Sequence, residues 1–150
     1  MKLKKTLIRK GYISIKLKKT STNHYEVKAI INGVKGRFIL DTGASNSCVD
    51  FDQINHFNLD AKDSKTKAAG AGAIDMLTQQ ATNNKLNIGG WKNNSFHLVL
   101  FDLSHVNEAL TQHNTKAVHG IIGADILEKG KAIIDYKKNR LYLKRLVFSY

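Results

Sequence analysis

The stretch "GRFILDTGASNSCVD", residues 36–50, sets an apolar run against Asp41-Thr42-Gly43-Ala44-Ser45, a segment that suits neither a strand nor a helix. Phe38-Ile39-Leu40 reads as the end of a buried strand, and its direction carries the Asp41 carboxylate toward the interior or the mouth of a cleft. A lone carboxylate there is costly, because desolvation disfavours its charged form, so Asp41 needs a partner. The small residues after it let other backbone approach closely. By itself an Asp-Thr-Gly triplet implies no more than a turn or cap residue satisfied by neighbouring N–H groups. A second segment changes that reading. "VHGIIGADIL", 118–127, follows some 80 residues after Gly43 and leads two isoleucines and a glycine into a short helix.

The surrounding chain reads mostly as strands. "YISIKLK" from Tyr12 alternates apolar and polar residues, as a strand with one buried face does. "HYEVKAII", 24–31, repeats the pattern and meets Asn32-Gly33, a strong hairpin signal that predicts a second strand over about 35–40. "TKAAGAGAIDML", 66–77, reads as an exposed, mobile hairpin. "KLNIGGWKNNSFHLVLFD" gives another, with its turn at Gly89-Gly90 and an apolar strand at 96–101. Two segments read as helix: "LSHVNEALTQH", apolar at 103, 106 and 110 with Ser104 as its cap, and "ADILEKG", capped by Asp125 at its start and Gly130 at its end. "KAIIDYKKNRLYLKRLVFSY" closes the chain as two strands around a Lys138-Asn139 turn. No repeat, linker or second domain interrupts residues 1–150, which are long enough to bury a core. The expected fold is all-β: a closed or nearly closed barrel with one or two short helices.

Charge is concentrated at the ends. The net charge of +12 comprises +8 from residues 1–20 and +5 from residues 128–150, so residues 21–127 carry a net −1. Basic ends attract nucleic acid, anionic membrane surfaces or acidic proteins, but solvated Lys-rich termini are commoner, and nucleic acid is not expected as a partner. Cys48 is the only cysteine, which rules out an intrachain disulfide, and its apolar neighbours make it core filling. The basic start "MKLKKTLIRK" breaks its apolar stretch at Arg9 and cannot serve as a signal-peptide core. No run approaches 18 apolar residues, so no transmembrane helix is expected, and the expected location, absent an export signal, is the cytoplasm.

Other chemistries fail on the residues. The six histidines offer no metal-type pair at helical i,i+4 spacing and no cysteine partner, so no metal site and no cofactor are expected. Gly70-x-Gly72 lacks the third glycine and the preceding parallel strand of a dinucleotide fingerprint. No Gly-x-Ser-x-Gly exists. Trp91, after Gly89-Gly90, reads as packed at a hairpin turn, and His119 as a surface or core histidine.

With these parts in place, the chain resembles the retropepsin-like aspartic proteases, the retroviral enzymes and their cellular and bacterial relatives. "FILDTGAS" matches the catalytic loop, "AAGAGAI" the flap, "GIIGADIL" the apolar-apolar-Gly segment under that loop, and "AIIDYKKNRLYL" the closing hairpin, together covering about residues 24–143. The resemblance implies a peptide or protein substrate and a water activated between two carboxylates, one taking its proton while the other protonates the scissile carbonyl. Two ionised carboxylates about 3 Å apart repel by roughly 5 kcal/mol at an effective dielectric of 20, so such a pair shares one proton near neutral pH. This chain has one Asp-Thr-Gly; Asp50, Asp52, Asp60, Asp63, Asp75 and Asp102 lack its flanking residues. The second carboxylate is therefore expected from a second copy, in a two-fold homodimer.

The resemblance also implies a role for each site residue. Asp41 is catalytic, Thr42 bonds across the dimer, and Gly43 N–H supports the carboxylate. Ala44 and the flap residues Gly70, Ala71, Gly72 and Ala73 contact substrate, and Ile121, Ile122 and Gly123 support the loop. Ala44 stands where pepsin-like enzymes carry a hydroxyl residue, which points to activity at weakly acidic to near-neutral pH. Two further functions remain open to this sequence: a binding or assembly module that keeps the fold without turnover, and a binder of nucleic acid or anionic surfaces through the basic ends.

Overall fold

The computed structural model describes residues 2–63, 68–70, 73–76 and 78–146. The chain begins with helix α1 (Leu3–Arg9) and strands β1 (Tyr12–Lys16), β2 (Lys18–Lys19), β3 (Tyr25–Ile31), β4 (Val34–Leu40) and β5 (Cys48–Asp50). A 3-10 turn at Phe51–Gln53 precedes β6 (Lys62–Asp63), β7 (Ala68–Gly70), β8 (Ala73–Met76), β9 (Gln79–Ile88) and β10 (Trp91–Phe101). Helix α2 (Ser104–Gln112), β11 (Gly120–Ile122), helix α3 (Ala124–Lys129), β12 (Ile133–Asp135) and β13 (Arg140–Lys144) complete it.

Six strands close a barrel in the order β3-β4-β11-β5-β10-β9, with β9 returning to β3 through Ile30↔Asn87 and Ile31↔Leu86. β3 and β4 form the hairpin that Asn32-Gly33 predicts. Ile31 pairs with Val34 across a two-residue turn with φ of 52° and 83°, the left-handed pair that matches strand twist. Alternation then sets the faces: Val27, Ala29, Ile31 and Phe38 point into the core, together with Phe57, Trp91, Phe96 and Ile122. Trp91 is fully buried at its hairpin turn and donates Nε1–H to the Lys144 carbonyl at 2.8 Å. That bond fastens the barrel to the separate β1-β13-β12 sheet. β7 and β8 pair as a two-stranded ribbon, Gly70 opposite Ala73, which agrees with the hairpin expected there; Ala71 and Gly72 lie outside the described residues.

Three details differ from the sequence reading. A third helix, α1, is present, anchored by Leu7, while Leu3 and Ile8 stay exposed. Ser104 is not the cap of α2 but its first residue; the Asp102 carboxylate accepts from Ser104 N–H at 2.9 Å and from its hydroxyl. Asp125 does not cap α3, whose N-cap is Gly123 without a side-chain bond; its carboxylate turns instead to Ser47. Cys48 fills core, and burial pushes its thiol up to about 12, which removes it from nucleophilic chemistry at neutral pH.

Candidate active site

Asp41 leaves the end of β4 where β11 runs parallel beside it, Ile122 paired with Leu40. Its backbone N–H donates to the Ile122 carbonyl at 3.0 Å, and its Oδ1 accepts from Gly43 N–H at 2.9 Å. The carboxylate is thus oriented by its own loop, two residues on. Thr42 and Gly43 are exposed on the surface of the chain, and Ala44 is half-buried.

The loop is then tied down along its length. Ala124 N–H donates to the Ala44 carbonyl at 2.7 Å, which joins the loop to the first turn of α3. Ser47, 1% exposed, donates its hydroxyl to Asp125 Oδ1 at 2.7 Å and its N–H to the same oxygen at 2.9 Å. The Ser47 hydroxyl also accepts from Gly123 N–H at 2.9 Å, and its carbonyl accepts from Val99 N–H at 3.1 Å. Close approach is what requires glycine at 123: a Cβ there would stand 2.6 Å from the Ala44 carbonyl oxygen. Ile121 and Ile122 are buried on opposite faces of β11, Ile122 in the barrel core and Ile121 among Cys48, Val99, Phe101 and Leu103.

Asp41 also lies in the wall of a cavity of about 780 Å³ between the outer face of β4 and β11, the 21–24 loop and α2. Sequence reading missed Ser47, the actual partner of Asp125, and this cavity. Ser47 and Asp125 are 78 residues apart, and nothing local marks them as a pair.

One residue before β11, at the end of that strand away from Asp41, the His119 ring stacks on His56 with centroids 5.0 Å apart and planes 3° from parallel. Its Nδ1 accepts from Arg37 N–H at 2.9 Å, which requires the unprotonated nitrogen. Burial, then the charges of His56 and Arg37, hold the His119 imidazole below its ordinary value. Among the described residues no group of His, Cys, Asp and Glu side chains could hold a metal ion.

The model of a family described as aspartyl protease matches residues 27–126. No curated protein matches. Among solved structures the chain is similar to a retropepsin-like aspartic protease from Rickettsia conorii, at 22% identity and a TM-score of 0.59, covering 90% of each chain. It is similar to the retroviral protease-like domain of Ddi1 from Leishmania major, at 20% identity and a TM-score of 0.53, covering 81% of this chain and 88% of that one. The EIAV protease, solved with the inhibitor HBY-793, matches at 18% identity and a TM-score of 0.57, covering 77% and 96%. At such identities these structures speak for the fold, which is retropepsin-like.

Proposed function

The chain belongs to the aspartyl protease family, and from that membership we propose that it is an aspartic endopeptidase whose active unit is a homodimer with one Asp41 from each protomer. The observation that carries this reading is the Asp41 carboxylate, oriented by Gly43 N–H on a loop braced against β11 and α3, beside a cavity. The exposure of Thr42 and Gly43 leaves the same loop accessible to a second copy.

In the proposed dimer the two carboxylates share one proton. The ionised one takes a proton from a water between them, and the oxygen attacks the scissile carbonyl carbon. The protonated one gives its proton to the carbonyl oxygen as charge develops there. Gly43 N–H keeps one oxygen of each carboxylate in place through both transfers. Thr42 bonds across the two-fold axis, and Ala44 with Gly70 to Ala73 contacts the peptide. Residues 1–150 act as one protease domain, and no cofactor takes part.

A peptide-library cleavage assay across about pH 4 to 7.5, with a pepstatin-type inhibitor and Asp41→Asn as controls, tests the proposal. Cleavage by the wild type that both controls abolish is expected. Absence of cleavage at concentrations where sedimentation shows dimer sinks the enzyme in favour of a binding module.

A further inference from the structure

The two basic ends of the chain fold into one unit. β1 and β13 pair antiparallel from Tyr12↔Lys144 to Lys16↔Arg140, so residues 12–16 and 140–144 lie side by side. Arg145 N–H donates to the Gly11 carbonyl at 2.9 Å, and the Tyr12 hydroxyl donates to the Lys131 carbonyl at 3.0 Å. These bonds bring Lys131 and Arg145 to the C-terminal end of α1, where Arg9 and Lys10 stand. Charges far apart in sequence, +8 from residues 1–20 and +5 from residues 128–150, therefore add on one side of a body that carries −1 over residues 21–127.

All the Lys and Arg of the two segments are exposed except Arg140 and Lys144, which are half-buried. Their acids are Glu128 and Asp135, and the Asp135 carboxylate accepts from Lys137 and Lys138 N–H within its own turn. Leu7 is buried and anchors α1, whereas Leu3 is 42% and Ile8 50% exposed. Among the described residues the exposed large hydrophobics are Leu3, Ile8 and Tyr136, all within the two basic segments. The chain's exposed apolar bulk and its excess positive charge thus coincide.

We propose that α1 and the adjoining β1–β13 pair dock the protein on an anionic lipid bilayer, with the lysines against the headgroups and Leu3 and Ile8 at the acyl boundary. The docking goes beyond the endopeptidase reading and does not depend on it. Each Lys or Arg near such a surface strengthens partitioning about fivefold, and two aliphatic side chains add the second signal that stable attachment needs. A nucleic acid would engage the lysines but has no use for Leu3 and Ile8, because its phosphates are met by charge and its bases by aromatic rings. The near-neutral body leaves the field lopsided, which turns the α1 side toward a negative surface.

Flotation of the full chain with phosphatidylcholine vesicles, with or without about 30% phosphatidylserine, tests the proposal. Binding to the anionic vesicles alone is expected, and it should fade as salt rises from about 0.1 to 1 M and the Debye length shrinks from about 10 to 3 Å. Lys4→Gln/Lys5→Gln/Arg9→Gln should weaken binding about 100-fold. Lys28→Gln/Lys35→Gln/Lys116→Gln, which removes the same charge from exposed sites on the body, should weaken it less than about fivefold. Leu3→Ser/Ile8→Ser, with Leu7 intact and the fold checked by circular dichroism, should weaken it about tenfold. Equal losses in the two triple variants, or equal binding to neutral and anionic vesicles, overturn the docking unit. Undiminished binding by Leu3→Ser/Ile8→Ser overturns the lipid assignment and leaves a general polyanion site. Fluorescence anisotropy with a single-stranded DNA of about 20 nucleotides completes the test: tighter binding to it than to the anionic vesicles overturns lipid in favour of nucleic acid. None of these readouts involves cleavage, so the endopeptidase reading stands or falls separately.

Discussion

Ser47 holds the far end of the Asp41 loop with one hydroxyl that gives a hydrogen bond to Asp125 and takes one from Gly123 N–H. Ser47→Ala leaves that buried N–H without its acceptor, so a loss of roughly 1–3 kcal/mol is expected, read from the denaturant midpoint. An unchanged midpoint would show that the loop repacks around the gap. His119 makes a pH-dependent contribution whose sign follows from its lowered pKa. The unfolded chain binds a proton near the ordinary value of 6.5, and the folded chain resists it until lower pH. Stability from this group is therefore fully present above about pH 6.5 and is lost as pH falls toward the folded value. His119→Asn keeps an acceptor for Arg37 N–H but cannot titrate, so between about pH 5 and 7 the wild type should lose stability toward acid more steeply than the variant. Equal slopes would remove His119 from the acid response.

At the scale of elements, β11 is three residues long, yet it pairs with β4 on one side and β5 on the other and supplies the carbonyl that receives Asp41 N–H. The atoms that a Cβ at position 123 would meet are the carbonyl oxygens of Ala44 and Asn46, at 2.6 and 3.0 Å, and backbone cannot rotate away as a side chain can. Gly123→Ala should destabilise by roughly 1–3 kcal/mol through overpacking. It should also lower kcat by about 10- to 100-fold in protein that circular dichroism shows to be folded, because the Asp41 loop is what moves. Wild-type kcat in the folded variant would mean that the brace does not position the carboxylate. Local elements were legible in the sequence because their causes are local: the Asn32-Gly33 turn, the alternation in β3 and β4, and the glycine after α3 each act within a few residues. β9 begins in the polar run Gln79-Gln80, where no apolar alternation announces a strand, and α1 has too few apolar positions in its seven residues to show a helical period. The cavity was not legible at all, since it exists only once α2 lies against Ile39 and Val118 on the outer face of the barrel.

For the whole molecule, the question is stoichiometry. The 24 Lys and Arg outnumber the 12 Asp and Glu by 12, an excess that no ion pair within the chain can neutralise, and two copies repel through it. At about 0.15 M salt the Debye length is roughly 8 Å, which screens most of that repulsion and sets the condition for testing a dimer. Mixing wild type with Asp41→Asn in equal amounts at fixed total concentration should then leave about one quarter of the activity after exchange, because only that share of randomly assorted dimers carries two aspartates. A protomer that acted alone would retain about one half. The two values differ twofold and need no knowledge of the dimer's affinity, provided sedimentation shows the mixture to be dimeric. A result near one half would rule out the shared dyad while leaving proteolysis by Asp41 intact, and a result near one quarter requires that each cleaving unit contain two of these chains.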